Sequence, residues 1–561
     1  MIRSKASEKS PPEIESTPVA FVSREGRKIV GFFDGPEGGP PVVLTPKFGE
    51  SKKNNLQMAY HLAANGMRVL RFDHTDHVGE SDGEIEQYTL TGAVIDIHSA
   101  LDHLEQKWGI QSVQLVANSL SARCAIRVAA IDGRVSRLVT MVGVVNFQRT
   151  ATVVYQRDMV ADYRAGRMQG ISDILGHQVD VDNFLRDCLA NDLQDLEGTL
   201  RDVREAACDL FFFNADRDVW VDFEEVRALE ACNPRVRIAT LEGGMHELRE
   251  NPGVAAEAAK ALVHVCKTGN IPDPANAEAE TIQDPPKKAL VAQNKLERER
   301  LRAAAPLRES ENAFWDAYLR KYDVLENVGD YAEYMQLIGN LLGEIEPKKV
   351  YFDCGCGNGL YGAWCLRDWI RRSPGLDPPP VYFGLDLTAK GLMDAARRHR
   401  GAQSLSGSEG STPDFIYLRY DLDAIDLEEE PGVGLPFGDA SVDRVCCSLL
   451  VSYLKRPEFL LRELRRVMKP GGRIVVTSMK PHCDLSAIYK DVVDEARDRA
   501  LLDSARDLLS AAGAIRLKEE EGHYKFYDRS ELADLVRWTG FRETASYRSF
   551  GDQANLVSAT K

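Results

Sequence analysis

Apolar positions along this chain fall in short β-prone blocks that alternate with longer stretches of helical period. The block Val113 to Val116 is followed by the helix-like "ARCAIRVAAI". The blocks in "PPVVLTP", Leu210 to Phe213 and "VRIATL" are set between similar helical stretches. After residue 345 the pattern resumes with "KKVYFDC", "PPVYFGLD", "FIYLRYD" and "GGRIVVTS". Strand and helix in alternation predict α/β folds built on mostly parallel sheets. The pattern lapses over 267–292, "KTGNIPDPANAEAETIQDPPKKALVA", where Pro, Ala and charge replace any sustained apolar period. The reading is therefore a disordered tail over 1–18, an α/β domain over 19–266, a linker over 267–292, a helical lead-in over 293–344 and a second α/β domain over 345–561.

Composition narrows the setting. The 561 residues exceed one ordinary core, and no apolar run approaches the roughly 20 residues that cross a bilayer. "MIRSKASEKSPPEIESTP" is polar and lacks the apolar core of a signal peptide, so a cytoplasmic location and no transmembrane segment are expected. The net charge of −16, with both signs interspersed, argues against a nucleic-acid partner. The 11 cysteines include no C-x-x-C pair. Cys354/Cys356 and Cys446/Cys447 therefore read as small buried residues in a reducing compartment, not as disulfides or zinc ligands.

The first domain carries A-N-S-L-S, Ala117 to Ser121, at a strand-to-helix turn. A nucleophile elbow requires small residues two before and two after the serine, because neighbouring backbones approach closely there. Ala117 and Ser121 meet that demand. Ser119 reads equally as a helix N-cap, so partners elsewhere must decide. An acid and a histidine should follow, each on a loop after a strand. Asp216 and Asp218 follow the strand Leu210 to Phe213, and "LEGGMH" presents His246 after a Gly-Gly turn. His246 as general base on Ser119, oriented by one of the two acids, would give acyl transfer through a covalent ester. The loop after "PPVVLT" predicts an oxyanion hole formed by the backbone amides of Phe48 and Leu120. His74 and His77 are three apart with no third ligand at fitting spacing, so no metal is expected. The segment "TATVVYQRDMVADYRAGRMQGISDILG" suits a lid over an acyl pocket. Arg123 and Arg127, near the elbow, are the candidate basic patch for an acidic carrier protein.

"RFDHTDHVGESDGEIEQYTL", "LVANSLSARCA", "MVGVVN" and "FLRDCLANDLQDLEGTL" resemble the acyl transferases of bacterial bioluminescence operons, across most of residues 20–265. The resemblance implies an α/β-hydrolase that takes acyl groups from thioesters of acyl carrier protein or CoA. It also implies Ser119 as nucleophile, Asp218 as acid, with Asp216 the competitor, and His246 as base.

In the second domain "VYFDCGCGNGLYG" runs from a strand into a glycine loop. Gly355, Gly357 and Gly359 after Asp353 allow a ligand to approach the backbone at a helix N-terminus. Such a loop also serves dinucleotides. Asp386, at the end of the next strand, fits the ribose of any adenosine. With "FIYLRYDLDAIDL", "GLPFGDASVDRVCCSLLVSYL" and "ELRRVMKPGGRIVVTS" in order, the series resembles class I methyltransferases that use S-adenosyl-L-methionine. That resemblance implies that Asp353, Gly355, Gly357 and Gly359 hold the methionyl part, Asp386 the ribose, and Asp421 with Leu422 the adenine. It places Ser448 to Tyr453 beside the methyl group. His482 and His523 follow strands and are candidate bases. The expected whole is an α/β-hydrolase domain followed by a Rossmann-like methyltransferase domain, acting in sequence on an acyl substrate.

Overall fold

The apolar blocks pair into two separate sheets because each is too short and too β-branched to do anything else with its backbone polar groups than share them with a neighbouring strand. The computed structural model describes residues 14–272, 282–304, 311–319, 329–372, 378–405, 413–425, 434–495 and 499–561. Two units result, dividing between Ala305 and Pro306.

Unit 1 has strands β1 (Ser16–Val22), β2 (Lys28–Asp34), β3 (Pro41–Thr45), β4 (Arg68–Phe72), β5 (Val113–Asn118), β6 (Val135–Met141), β7 (Ile171–Ile174), β8 (His177–Asp180), β9 (Asp209–Ala215) and β10 (Val236–Leu241). Eight of them form one sheet in the order β1-β2-β4-β3-β5-β6-β9-β10. Only β1 and β2 run antiparallel to their neighbours. This is the α/β-hydrolase arrangement. β7 and β8 form a separate hairpin in the segment between β6 and β9, with the helices Phe147–Tyr155 and Met159–Arg164.

Unit 2 has β11 (Val350–Cys354), β12 (Val381–Asp386), β13 (Asp414–Arg419), β14 (Val442–Cys447), β15 (Met468–Met479), β16 (Arg542–Ser549) and β17 (Ala554–Thr560). Its sheet order is β13-β12-β11-β14-β15-β17-β16, with antiparallel pairing only where β17 meets β15 and β16. That is a Rossmann-like sheet of the class I methyltransferase type.

Two expected boundaries move. The strand β1 starts at Ser16, inside the expected tail, and pairs Ser16 with Asp34. Its Ser, Thr and Pro hid it, yet Pro18 is tolerable because β1 is an edge strand. Residues 1–13 of that tail lie outside the described residues, as do 273–281 of the expected linker. The second correction concerns the helix Lys287–Ala304, expected to be part linker and part lead-in to the second domain. It packs on unit 1 instead. Its anchorage is ionic: Glu297 makes a bidentate pair with Arg71 at 2.7 Å on both branches, and Arg71 also holds Asp34 at 2.6 Å. Arg71 and Asp34 are fully buried and Glu297 nearly so. Burial opposes the guanidinium charge, but the two carboxylates outweigh it and raise the Arg71 pKa. A second chain of charge runs Arg300 to Glu80 (2.8 Å) to Lys52 (2.7 Å) to Asp73.

Arg71 divides its donors between two buried carboxylates, so removing one leaves its guanidinium partly unpaired. Because Arg71 keeps Asp34, Glu297→Gln costs charge-assisted hydrogen bonds and leaves no bare charge, and is expected to destabilise unit 1 by about 1–3 kcal/mol, while Glu299→Gln, an exposed neighbour, changes stability by less than about 0.5 kcal/mol. Hydrogen exchange of the amides of β2 and β4 in each variant is the measurement.

Candidate functional site

Parallel pairing brings the C-terminal ends of β3, β5, β6, β9 and β10 to one edge of the sheet in unit 1. Ser119 leaves β5 with φ +50°, a left-handed conformation that is costly for a residue with a Cβ. Three hydrogen bonds hold it there. Its N–H donates to Met141 C=O at 3.1 Å, and its C=O accepts from Ala122 N–H (3.1 Å) and Val144 N–H (2.9 Å). The tight turn needs small neighbours: a Cβ on Gly143 would sit 2.8 Å from Ala122 Cβ. Ser121, the second serine of the motif, is structural. It is buried, donates to Asn118 C=O at 2.8 Å and lies 3.0 Å from Thr45 Oγ1.

Ser119 Oγ is 2.8 Å from His246 Nε2, and His246 Nδ1 is 2.8 Å from Asp218 Oδ2. Asp218 and His246 side chains are 4% and 5% exposed, which keeps water from competing for the imidazole. The other oxygen of Asp218 accepts from the N–H groups of Trp220 (2.8 Å) and Val221 (3.3 Å), so the carboxylate cannot turn away. Asp216, the competing acid, is exposed. The indole of Trp220 packs on the imidazole, ring centres 5.0 Å apart.

The register pairs Thr45 with Ala117, which sets Phe48 and Leu120 each three residues past a paired position on adjacent strands. Neither the Phe48 nor the Leu120 N–H has a hydrogen-bond acceptor among the described residues. The peptide after Phe48 is fixed, since Gly49 N–H donates to His77 Nε2 at 3.0 Å. Burial, and then the neighbouring His74 and His177 imidazoles, push the His77 pKa well below its ordinary value. His77 therefore stays neutral and able to accept. His74 faces Asp96 at 3.3 Å. Among the described residues no group of three or more His, Cys, Asp or Glu side chains is disposed to hold a metal ion. Arg123 and Arg127 both pair with Asp202 (2.6 and 2.9 Å), and Arg123 is fully buried. They form no basic patch.

In unit 2, β11 ends at Asp353 and Cys354 and the glycine loop follows. Gly355, Gly357 and Gly359 all have positive φ. A Cβ on Gly359 would lie 2.7 Å from Ala395 Cβ, so only glycine lets the loop seat on the neighbouring helix. The loop is tied to the next strand: Gly355 and Cys356 N–H donate to Leu385 C=O (2.9 Å each), and Gly357 N–H donates to Asp386 Oδ2 (2.8 Å). Thr388 donates through N–H and Oγ1 to the other Asp386 oxygen (2.9 and 2.6 Å). Asp421, past β13, is exposed and accepts from Asp423 N–H at 3.0 Å, while Leu422 is buried. Ser448 Oγ, past β14, is 2.6 Å from Tyr334 Oη, which also meets Thr477 Oγ1 at 2.7 Å. Burial pushes the Cys354 and Cys356 thiols well up, so both stay protonated. His523 lies 3.8 Å from Glu521.

Sequence reasoning missed several of these contributors. In the sequence His77 bears only on a metal, through its spacing from His74. Tyr334 lies in the expected lead-in, and so does helix Glu311–Leu319. That helix sets Trp315 with its ring centre 4.6 Å from that of Tyr453, and Leu319 3.2 Å from where a Cβ of Gly357 would stand. The signal available was aromatic density in "ENAFWDAYLRKY".

Residues 41–265 match the family model described as acyl transferase. The acyl transferase of Photobacterium phosphoreum is 31% identical over 215 residues, covering 37% of this chain and 69% of that one. The chain belongs to the acyl transferase family. The acyl transferase of Photobacterium leiognathi is 33% identical over 216 residues, 37% of this chain and 66% of the relative. That of Photorhabdus luminescens is 30% identical over 237 residues, 40% and 75%. The chain thus spans about two thirds to three quarters of the length of these acyl transferases. Residues 352–476 match a methyltransferase domain model, so an acyl transferase and a methyltransferase domain share one polypeptide. Among solved structures, the esterase domain of a Rhodothermus marinus protein aligns at 18% identity with a TM-score of 0.34, covering 45% of this chain and 98% of that one. Est1E of Butyrivibrio proteoclasticus aligns at 16% with 0.37, covering 44% and 98%.

Asp353 carries a pH prediction. Burial raises its carboxyl to about 7, against the hydrogen bond from Tyr382 Oη at 2.6 Å. The unfolded chain loses this proton near pH 4 while the folded one keeps it to about 7, so the unfolded state binds fewer protons in between and stability falls as pH rises across that window. Unfolding of unit 2, followed in urea from pH 4 to 8, should show this decline, and Asp353→Asn should flatten it.

Proposed function

We propose that unit 1 is an acyl-thioester hydrolase or transferase with Ser119 as nucleophile, and that unit 2 methylates the released or carrier-bound acyl product with S-adenosyl-L-methionine. The observation that carries the first half is the hydrogen-bonded line Ser119–His246–Asp218 beginning at a left-handed residue. Ser119 Oγ attacks the thioester carbonyl carbon while His246 Nε2 takes the hydroxyl proton. Asp218 keeps Nδ1–H oriented and offsets the imidazolium charge. The N–H groups of Leu120 and Phe48 receive the oxyanion. Collapse expels the carrier thiolate, to which His246 returns the proton. Water, or another acceptor, then attacks the ester by the same steps and frees Ser119. The carrier is an acyl carrier protein or CoA, and the setting is cytoplasmic.

For unit 2 the residues present fit an adenosylmethionine. Three consecutive parallel strands deliver Asp353 and the glycine loop, Asp386, and Asp421 with Leu422 to one sheet edge, the spacing an extended adenosine-plus-amino-acid ligand requires. The loop leads into the N-terminus of helix Leu360–Arg372, which favours a carboxylate. Asp386 Oδ2, which accepts only from Gly357 N–H, keeps a lone pair for a ribose hydroxyl, while Thr388 fills both acceptor positions of Oδ1. When bound, the group supplies an electrophilic methyl on sulfur. The chain's part is to orient it, with Ser448 to Tyr453 facing the methyl and Trp315 covering Tyr453 to limit water. A carboxylate acceptor would need no base, being nucleophilic at neutral pH.

Intact mass after incubation with a panel of acyl thioesters should show an acyl adduct on the wild type and none on Ser119→Ala. Turnover should fall by about 10²–10⁴-fold in Asp218→Asn and stay at the wild-type level in Asp216→Asn. An adduct that persists in Ser119→Ala would refute the nucleophile and leave unit 1 as a binding module. For unit 2, calorimetry should detect S-adenosyl-L-methionine binding that weakens at least about tenfold in Asp386→Ala, the loss of a charge-assisted hydrogen bond.

A further inference from the structure

The loop that carries the Phe48 N–H and the loop that carries His246 are far apart in sequence. Each places one acid and one base beside its functional residue: Lys47 and Glu50 flank Phe48, and Glu247 and Arg249 follow His246. Lys47 Nζ is 2.7 Å from Glu247 Oε2 and 3.3 Å from Glu50 Oε1. Arg249 meets Glu247 through Nε (2.7 Å) and Nη2 (2.9 Å), and Glu50 through Nη2. Every cation therefore touches both anions and every anion both cations, a closed ring of alternating charge with zero net charge. The bases are 13% and the acids 6% exposed. Arg249 also donates to Asn54 C=O at 3.2 Å, reaching past the end of the Phe48 loop.

Burying four charges is expensive, and such groups are often no more stabilising than an apolar filling. What they add is direction, since bidentate and charge-assisted bonds tolerate little displacement. A shift of either loop would misalign the oxyanion donor or the base by a fraction of an ångström, and acyl transfer depends on both being correct at once.

We propose that Lys47, Glu50, Glu247 and Arg249 form a brace that holds the oxyanion donor at Phe48 and the general base His246 in register, so that these four are positioning residues for the acyl-transfer site. The proposal rests on the reading of Ser119 as nucleophile. None of the four touches the reacting atoms, so their effect passes through Phe48 and His246. The brace also accounts for the long reach of Lys47 to residue 247, where pairing with Glu50 alone would have satisfied its charge locally.

The test uses the full chain with Glu50→Gln, Arg249→Gln, the double variant, and Arg249→Lys as the conservative replacement. Two readouts are taken: kcat and KM on an acyl thioester, and the affinity of an alkyl boronic acid, which forms a tetrahedral adduct on an activated serine and borrows the oxyanion donors. We expect kcat to fall by up to about 100-fold with KM within about twofold, boronate affinity to fall in parallel, and Arg249→Lys to recover part of both. The double variant should lose no more than the worse single one, because the two groups act through one ring. Should a single glutamine variant fail to fold, Glu50→Asp and Lys47→Arg keep the charges and change only the reach, and the same parallel loss is expected of them. Folded variants with wild-type kcat and boronate affinity overturn the brace while leaving the acyl-transfer reading intact, and so does a loss confined to KM. A wild-type protein that forms no boronate adduct at Ser119 overturns that reading and the brace together.

Discussion

Parallel pairing is the constraint on which both sites depend. A strand in a parallel sheet must be followed by a crossover, so all of the strand ends of one polarity accumulate on the same edge, and the loops leaving them meet there. In unit 1 that edge receives Ser119 from β5, the Phe48 loop from β3, Asp218 from β9 and His246 from β10. In unit 2 it receives the glycine loop from β11, Asp386 from β12, Asp421 from β13 and Ser448 from β14. Residues up to 127 positions apart, such as Ser119 and His246, need no long-range design beyond the sheet itself to meet.

The two edges are finished differently. At the hydrolase edge a non-glycine residue is held in a left-handed conformation, and its three backbone hydrogen bonds are what keep it there. At the methyltransferase edge the glycine loop takes positive φ at Gly355, Gly357 and Gly359 without strain, and the one non-glycine excursion among the residues named there is Leu449, just past β14, at φ +51°. The turn at Ser119 thus presents a side chain and the glycine loop a backbone surface, in keeping with the proposed nucleophile of unit 1 and the proposed ligand cradle of unit 2.

Much of this was legible in the sequence because it rests on local rules. The strand before Ser119, the helix after it, the Gly-Gly turn at His246 and the glycine loop each follow from residue type and period. The choice between Asp216 and Asp218 was not legible from the residues, since both sit in the same turn. It is set by which carboxylate the N–H groups of Trp220 and Val221 turn toward the imidazole. The helix Lys287–Ala304 escaped for another reason. Its buried face is held by Glu297 and Gln293, polar residues that period-based reading assigns to solvent. The ring of Lys47, Glu50, Glu247 and Arg249 was hidden likewise: four charges in two loops carry no pattern until the sheet joins them.

The Glu297–Arg71 pair separates two meanings of a domain. The stretch shared with the acyl transferases, residues 41–265, is the unit of descent. The unit of folding is longer, because an arginine inside that stretch, on a central strand, is neutralised partly by a carboxylate that lies 32 residues beyond its end. A genetic exchange that moved only the inherited stretch would carry Arg71 into its new host without Glu297, and with Asp34 left behind as well. In such a recombinant the buried guanidinium would lack both of its carboxylates, and an apolar residue at position 71 would serve the core better.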